Sequence, residues 1–299
     1  METYTSHSSR CLRLNETIMI KLLSVLTVLT ISFVSSAQTA SSLFWKKDSL
    51  QVAEIVSEVP DLTLEVGHQG PAVENSHMIL SMCFDDSGAI DLYSKSGRGQ
   101  ELMRYLWFPT AEQRENDGAG IDAFAVGETL GCGGSALWDG EKMVKLAATK
   151  GRTARVGETK KGSYAEMTAY GVEYMGGMVD ISVRIDVEAK TRTATVTASE
   201  RSGRKVQFVT GVTCHEGHKA IIGKDHVAAW GLHPGSEVSL PVGAAVLFSA
   251  KDFPVVEKGE GMLIAVSAPM NKVKTSILAA STKEAELNSA KRFEEYVVD

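Results

Sequence analysis

The amino-acid sequence predicts an all-β protein, a large antiparallel β-sandwich of the supersandwich type with few short helices. From Met143 onward one strand-like segment follows another, and residues 178–188 alternate apolar and polar side chains over most of their length. Turn residues separate these segments at regular spacing, which is typical of antiparallel sheets stacked face to face. Late in the chain, residues 282–296 mix acids and bases in a pattern that favours a helix.

The first 37 residues read as a leader and signal peptide rather than as part of the fold. A short basic start at Met19-Ile20-Lys21 precedes an apolar run over residues 22–34, and the small residues Ser35-Ser36-Ala37 follow. This pattern predicts export to the periplasm or the medium, with cleavage near Ala37 and no membrane span afterwards. An uncleaved anchor is the alternative. Residues 38–299 are then expected to form a single β-sandwich domain.

Before Met143 the elements are shorter. Residues 61–66 alternate with period two and predict a strand. Residues 77–84 and 89–93 flank the turn Asp85-Asp86-Ser87-Gly88 and predict a hairpin. Residues 98–108 favour a short helix, whereas the charged residues 110–120 lack apolar periodicity and are expected to form a loop.

The glycine-rich stretch 127–140 predicts close strand packing, not a nucleotide site. It lacks a Gly-Lys-Ser/Thr ending and contains no G-x-G-x-x-G before a helix. Of the four cysteines, three fall within residues 38–299, and none forms a C-x-x-C pair. We therefore expect each of these three to be a small buried residue. The net charge of −6 argues against general nucleic-acid binding, and an anionic substrate would need a local cluster of Lys and Arg.

The stretch from Val209 to His233 holds four of the seven histidines and is the chain's richest source of groups that titrate near neutral pH. His215 follows a predicted strand, and His218 comes three residues later across a glycine that permits a turn. Together with His226, His233 or Glu216 they could supply three ligands to a divalent metal. The alternatives are a histidine hydrogen-bonded at a strand end and solvated loop histidines.

Four segments resemble a bacterial family, domain-of-unknown-function family 4861, whose members are encoded beside polysaccharide-utilisation genes. In family order they are G-P-A-V-E (70–74), F-D…A-I-D-L-Y-S-K (84–95), V-G…L-G-C-G-G…L-W-D-G (126–140) and V-T-G-V-T-C-H (209–215). The chain departs from the family pattern at Ser81-Met82-Cys83, where Tyr-Arg is usual, and near Ala72-Val73, where a Trp is usual.

The resemblance implies a secreted carbohydrate-active protein. A member of the family is associated with dehydrating the terminal uronic acid of acidic algal oligosaccharides such as ulvan. We therefore expect a hydro-lyase that acts on the non-reducing-end uronic acid and forms a 4,5-unsaturated uronate. The expected partner is an acidic oligosaccharide; the oligomeric state stays open, and a divalent metal is the one cofactor considered.

Such a dehydration needs a base near pH 7, a group that stabilises enolate-like charge and an acid for the leaving oxygen. The predicted catalytic residues are His215, His218 and Tyr170. The predicted substrate-binding residues are Glu74, Asp91, Lys95, Arg184 and His68. Glu74 and Asp91 lie in family-matching segments, and His68 precedes Gly70-Pro71 and is expected to face the same cleft. His215→Ala is expected to fold and lose activity.

Two other functions remain open at this point. The first is a non-catalytic carbohydrate-binding protein, since β-sandwiches often bind sugars, although an aromatic content of 7% is low for a stacking platform. The second is a mutarotase- or epimerase-like sugar enzyme on a similar sandwich, which also uses histidine and carboxylate. A paired-carboxylate glycosidase is a lesser option, because sequence cannot place two acids across a cleft.

Overall fold

The computed structural model describes residues 39–105, 109–236 and 238–299, so the predicted leader lies outside the described residues. Twenty strands lie within these ranges: β1 (Ala40–Ser42), β2 (Phe44–Trp45), β3 (Leu50–Gln51), β4 (Glu54–Ser57), β5 (Ala72–Glu74), β6 (Met78–Met82), β7 (Ile90–Ser94), β8 (Cys132–Trp138), β9 (Met143–Val144), β10 (Arg152–Glu158), β11 (Gly162–Tyr174), β12 (Gly177–Glu188), β13 (Ala194–Glu200), β14 (Phe208–Thr213), β15 (Lys219–Ile222), β16 (His226–Gly231), β17 (Val242–Phe248), β18 (Val255–Gly259), β19 (Met262–Val266) and β20 (Lys272–Ser281). Two α-helices, α1 (Ala111–Asn116) and α2 (Ala290–Val298), and one 3-10 turn, Gly67–Gln69, complete the described elements.

One layer of the fold is a nine-stranded sheet in the order β15-β16-β17-β20-β13-β12-β11-β10-β4. All its pairings are antiparallel. In β13 buried residues alternate with half-buried ones, as a strand with one face toward the core requires. The alternation read from residues 178–188 is confirmed in β12.

The other layer is built from two smaller sheets. A four-stranded sheet, β1-β5-β6-β7, meets a five-stranded sheet, β18-β19-β14-β8-β9, at a parallel bridge between Ile90 and Gly131. The main hydrophobic core draws side chains from all three sheets, for example Leu80, Ile185 and Phe208. The protein is therefore an all-β sandwich, as the sequence predicts.

Close packing at this bridge explains the glycine-rich stretch. Gly131 has a left-handed φ of 67°, and a Cβ there would lie 2.1 Å from the Ile90 carbonyl oxygen. Gly133, with φ 80°, would meet the Ile277 side chain at 2.2 Å. The expectation of close packing instead of a phosphate loop is confirmed. Cys83, Cys132 and Cys214 are free and buried, also as expected.

The four-stranded sheet has an outer face whose residues border a cavity and a cleft. Leu80, Ile90 and Leu92 point into the core. Because side chains alternate along a strand, their neighbours Ile79, Ser81, Asp91 and Tyr93 share the opposite face. The register sets Ser81 directly opposite Asp91 and Ile79 opposite Tyr93. Glu101, Leu102, Tyr105 and Pro109, which follow β7 in the sequence, lie over this face.

The helices differ from the sequence expectation. The segment 282–289 is mostly turn, and α2 starts only after Ser289, whose side chain accepts the Arg292 N–H. The charged segment expected to be a loop contains α1, because Thr110 and Gln113 form a reciprocal capping box. No helix in the described ranges combines the length and apolar character needed to cross a membrane.

Two predicted strands are wrong. Residues 61–66 form turns, because Asp61 Oδ1 accepts both the backbone N–H and the hydroxyl of Thr63 and so competes with strand pairing. Residues 238–241, whose sequence Val-Ser-Leu-Pro is counted among the strand-like segments expected after Met143, are not a strand either; the strand begins at Val242. In both places a local polar or proline signal overrides the alternating pattern.

Candidate functional site

The outer face of β6 and β7 borders two concave spaces, and the side chain of Asp91 lines both. One is a small cavity of about 20 Å³, with room for about one water molecule, and its walls are formed by His68, Ile79, Ser81, Tyr93, Glu101, Leu102, Tyr105 and Pro109. The other is a wide cleft of about 580 Å³ that includes Asp122 and Phe124. Asp91 therefore stands where a ligand in the cleft would meet the cavity.

The electrostatic setting of Asp91 is suited to proton transfer. Burial raises the pKa of Asp91 to about 7, and the nearby Asp122 adds to the effect. A hydrogen bond of 2.7 Å from the Leu92 N–H to Oδ1 acts in the opposite direction without cancelling it. A carboxyl group that is half ionised near neutral pH can both take and give a proton.

His68 lies on the wall of the same cavity. Its backbone is left-handed, with φ 53°, and its ring packs edge-on against Phe44 with 5.4 Å between the ring centroids. Burial, with a smaller effect from Lys46, lowers the pKa of His68 to about 4, so the imidazole is neutral at pH 7. The structure thus brings together two predicted site residues, His68 and Asp91.

Sequence reasoning missed Tyr93, Glu101 and Asp122. Burial raises the pKa of both Tyr93 and Glu101, which favours their protonated forms. Glu101 Oε2 accepts the Gly120 N–H at 2.7 Å. One signal was available: the period of two along β7 places Tyr93 on the face of Asp91. No sequence pattern predicts the positions of Glu101 and Asp122, because both lie in segments without regular secondary structure.

The cleft is strongly acidic. Its walls carry six carboxylic acids and one lysine: Asp61, Asp85, Asp86, Asp91, Asp122, Glu128 and Lys145. Two of the acids are paired, Asp86 with the buried Arg152 at 2.5 Å and Glu128 with Lys145 at 2.9 Å. The remaining excess of negative charge disfavours an anion in the cleft.

The predicted catalytic histidines gather beside this cleft. The rings of His215, His218 and His233 lie with centroids 4.8–5.4 Å apart, and we name them the histidine cluster. His233 also packs 4.2 Å from Phe124, and its Nδ1 lies 3.3 Å from the Ala125 carbonyl oxygen. Because Phe124 and Ala125 line the cleft, the cluster lies behind one of its walls.

Three ring nitrogens of the histidine cluster contact backbone, whereas the buried Nε2 of His215 has no hydrogen-bond partner among the described residues. His218 Nε2 lies 2.9 Å from the Leu232 carbonyl oxygen, and its Nδ1 accepts the His215 N–H at 3.3 Å. In the described part of the chain, no three His, Cys, Asp or Glu side chains converge as metal ligands. His226, considered as a ligand, instead pairs with Asp225 at 3.0 Å, and Glu216 is exposed.

The histidine cluster predicts a loss of stability in acid. Burial lowers the pKa of His233 to about 3, well below the ordinary value of about 6.5. Below pH ~6.5 the unfolded chain takes up a proton that the folded chain refuses, so unfolding becomes easier as pH falls. Between pH 7 and pH 5 the free energy of unfolding, measured with urea, should fall by about 1–2 kcal/mol less in His233→Gln than in the wild type. The control variant Ser236→Ala should behave like the wild type. An equal fall in His233→Gln and the wild type would contradict this prediction.

Tyr170 and Arg184 lie elsewhere. Both belong to the nine-stranded sheet, where Arg184 pairs with Asp186 at 2.7 Å and its guanidinium stacks 3.8 Å from the Tyr164 ring centroid. Tyr170 sits on β11 near Arg155. Neither residue lines the cavity or the cleft as described. The structure therefore does not bring them together with the histidines or with Asp91.

Glu74 and Lys95 form a buried ion pair, at 0% and 4% exposure, and do not face the cleft. Both oxygens of Glu74 accept backbone N–H groups, from Glu101 and Leu102. The structure thus gives this pair a role in holding the chain above the sheet, and the expected contact with substrate is corrected.

The family can now be stated. The sequence pattern described as "Domain of unknown function (DUF4861)" matches residues 26–299, so the chain belongs to this family. No curated protein matches it significantly.

Among solved structures, the 4-alpha-glucanotransferase from Thermococcus litoralis is similar at 10% identity and a TM-score of 0.35, over 72% of this chain. The match spans 40% of the length of that structure, and a likeness this distant carries no argument about activity.

Proposed function

We propose that the protein is an exported carbohydrate-active enzyme that uses Asp91 as its acid–base group. We further propose that its reaction removes water from the terminal uronic acid of an acidic oligosaccharide. The observation that carries the first part is the position of Asp91, between an open cleft and a cavity, with a pKa near 7. The second part rests on what the sequence resemblance implies, since the matched family itself is described only as a domain of unknown function.

The chemistry assigns each group a task. Ionised Asp91 takes the proton at C5, α to the substrate carboxylate, and the electron pair of that C–H bond becomes the new C4–C5 double bond. The 4-oxygen leaves as water after receiving a proton from a neutral acid in the cavity, for which Tyr93 and Glu101 are the candidates. His68, neutral at pH 7, supplies a hydrogen bond that orients the sugar.

A direct assay tests the reaction. Oligosaccharides that end in a saturated uronate are incubated with the protein, and the ultraviolet absorbance of the conjugated uronate is followed. The same oligosaccharides with the terminal carboxyl reduced to an alcohol serve as control, because they lack the acidified C5 proton. Absence of a new band in a folded protein would remove the hydro-lyase proposal.

The acidic cleft predicts how this activity responds to salt. A uronate approaching the acidic walls of the cleft is repelled, and salt screens that repulsion over a Debye length of about 10 Å at 0.1 M. We therefore expect KM for the acidic substrate to fall as NaCl rises from about 0.01 to 0.1 M, with kcat nearly constant. A KM that rises with salt would show that cations, and not the carboxylates of the cleft, dominate recognition.

The same acidic cleft favours a second candidate, a mutarotase- or epimerase-like enzyme that acts on a neutral sugar. Neutral sugars escape the repulsion, and such enzymes also use a carboxylate with a second acid. Exchange of carbon-bound substrate hydrogen for solvent deuterium without loss of water would indicate an epimerase, and faster interconversion of anomers without such exchange would indicate a mutarotase. Sugar binding without turnover, retained in Asp91→Asn, would instead indicate a non-catalytic carbohydrate-binding protein.

A further inference from the structure

The cavity beside Asp91 is closed by chain that has little regular structure of its own. Its outer wall consists of Glu101, Leu102, Tyr105 and Pro109, and residues 95–105 form only bends and turns. Leu102 is 1% exposed and packs in a small cluster with Ile79 and Tyr93. Something other than a helix or strand must therefore hold this wall against the sheet.

The buried pair Glu74–Lys95 provides that attachment. Glu74 Oε1 accepts the Glu101 N–H at 2.7 Å, and Oε2 accepts the Leu102 N–H at 2.8 Å. Lys95 Nζ donates to the carbonyl oxygens of Asn75 and Gly99 as well as to Glu74. One ion pair thus fixes three successive points of the wall, Gly99, Glu101 and Leu102, onto strand β5 and the end of β7. Such charge-assisted bonds are stronger than neutral ones.

The attachment extends to the second wall of the site. The Glu101 carboxylate, placed by its own clamped backbone, accepts the Gly120 N–H. The next residue, Ile121, exchanges two hydrogen bonds with Ser94 at 2.7 and 3.0 Å. Asp122 follows directly, lines the cleft with Asp91 and lies close enough to raise the pKa of Asp91. A displacement at Glu74 would therefore move both the wall segment Gly99–Leu102 and Asp122. These two parts of the chain together set the surroundings of Asp91.

We propose that Glu74 is a positioning residue, whose carboxylate holds the segment Gly99–Leu102 over Asp91 and keeps water out of the cavity. Its role rests on Asp91 as the acid–base group of the proposed function. The groups that face Asp91 from the surrounding elements are His68, Cys83, Tyr93, Glu101, Tyr105 and Asp122. A change at Glu74 leaves the chemical identity of these groups intact but moves Glu101 and Asp122 through the hydrogen bonds described above. A change in the titration of Asp91 would therefore report the joint position of the wall and Asp122.

The experiment compares two variants with a matched control. Glu74→Asp keeps the charge beside Lys95 but withdraws the carboxylate from the two N–H groups. The double variant Glu74→Gln with Lys95→Met removes both charges together, which avoids leaving a lone buried charge. Glu284→Gln breaks another ion pair of low exposure, Arg192–Glu284 at 8% and 12%, which does not line the cavity.

The readout is the titration of the Asp91 carboxyl by carbon-13 NMR without substrate, with the signal assigned from Asp91→Asn. We expect both Glu74 variants to lower the pKa of Asp91 from about 7, because water then reaches its cavity side as well as the side that borders the cleft. Faster hydrogen exchange at Glu101 and Leu102 should accompany the shift, and Glu284→Gln should show neither.

An unchanged Asp91 titration in Glu74→Asp, with faster exchange at residues 101 and 102, would overturn the proposal. If the double variant does not fold, the titration of Asp91 in Glu74→Asp alone tests the proposal. Since the titration needs no substrate, the result stands whether or not the protein proves to be a hydro-lyase. With a substrate in hand, kcat should fall about tenfold or more in Glu74→Asp while KM changes less, and the pH profile should shift with Asp91.

Discussion

Replacing Asp91 with Asn is expected to lower kcat by about 10²–10⁴-fold, the usual contribution of a general acid or base. Asn matches the shape of Asp and still accepts the Leu92 N–H, but it cannot take a proton at neutral pH. The fold should be intact, since the amide replaces a carboxyl that is already half protonated at pH 7. The measurement is steady-state turnover of the uronate substrate, with circular dichroism as the test of folding.

The pH profile sharpens this expectation. With Asp91 as the base, kcat/KM of the wild type should rise as pH rises through about 7, because the ionised form is the active one. The residual kcat/KM of Asp91→Asn should not show this rise with pH. The comparison variant is His215→Ala: its ring belongs to the histidine cluster, behind the cleft wall. If His215→Ala loses all turnover while Asp91→Asn keeps it, the histidine cluster and not Asp91 is the catalytic centre.

The second large effect concerns stability. Phe293 is fully buried in α2 and packs 5.4 Å from the Trp230 ring, centroid to centroid. Phe293→Ala is expected to reduce the free energy of unfolding by about 3–5 kcal/mol, since it removes buried apolar surface and leaves a cavity. Tyr296, on the same helix but 47% exposed, provides the control, and Tyr296→Ala should change stability far less. Urea unfolding followed by tryptophan fluorescence measures both.

A small effect of Phe293→Ala, equal to that of Tyr296→Ala, would mean that α2 is not part of the cooperative fold. In that case the second hydrophobic cluster, which joins α2 to Trp230 and Leu278, would contribute little to the stability of the sandwich.

The layers of this fold were predictable because they depend on local alternation. In a strand such as β12, apolar residues recur at about every second position and mark the buried face. Many such segments in one chain indicate stacked antiparallel sheets. The exceptions occur where a side chain bonds to nearby backbone: Asp61 turns an alternating segment into a loop, and Thr110 with Gln113 makes a helix where no apolar period exists.

The site was predictable only in part. His68 and Asp91 could be expected to share a cleft because both belong to turns and strands near the family-matching segments. Glu74 and Lys95 were chosen as charged residues, yet they lie 21 positions apart in sequence and neutralise each other inside the protein. The sequence holds no sign of that pairing, because it depends on how β5 and β7 are aligned through β6. Glu101 and Asp122 escape prediction for the same reason.

The parallel bridge between Ile90 and Gly131 joins the four-stranded sheet to the rest of its layer, so the residues that line the cavity lie on a small separate sheet. The four-stranded sheet carries the cavity-lining residues Ile79, Ser81 and Tyr93, while intervening residues such as Leu80 and Leu92 anchor it in the core. If the proposed function holds, randomising Ile79 and Ser81 would vary the surroundings of Asp91 without removing the candidate acid Tyr93. The nine-stranded scaffold, whose hydrogen bonds neither residue supplies, would be left undisturbed.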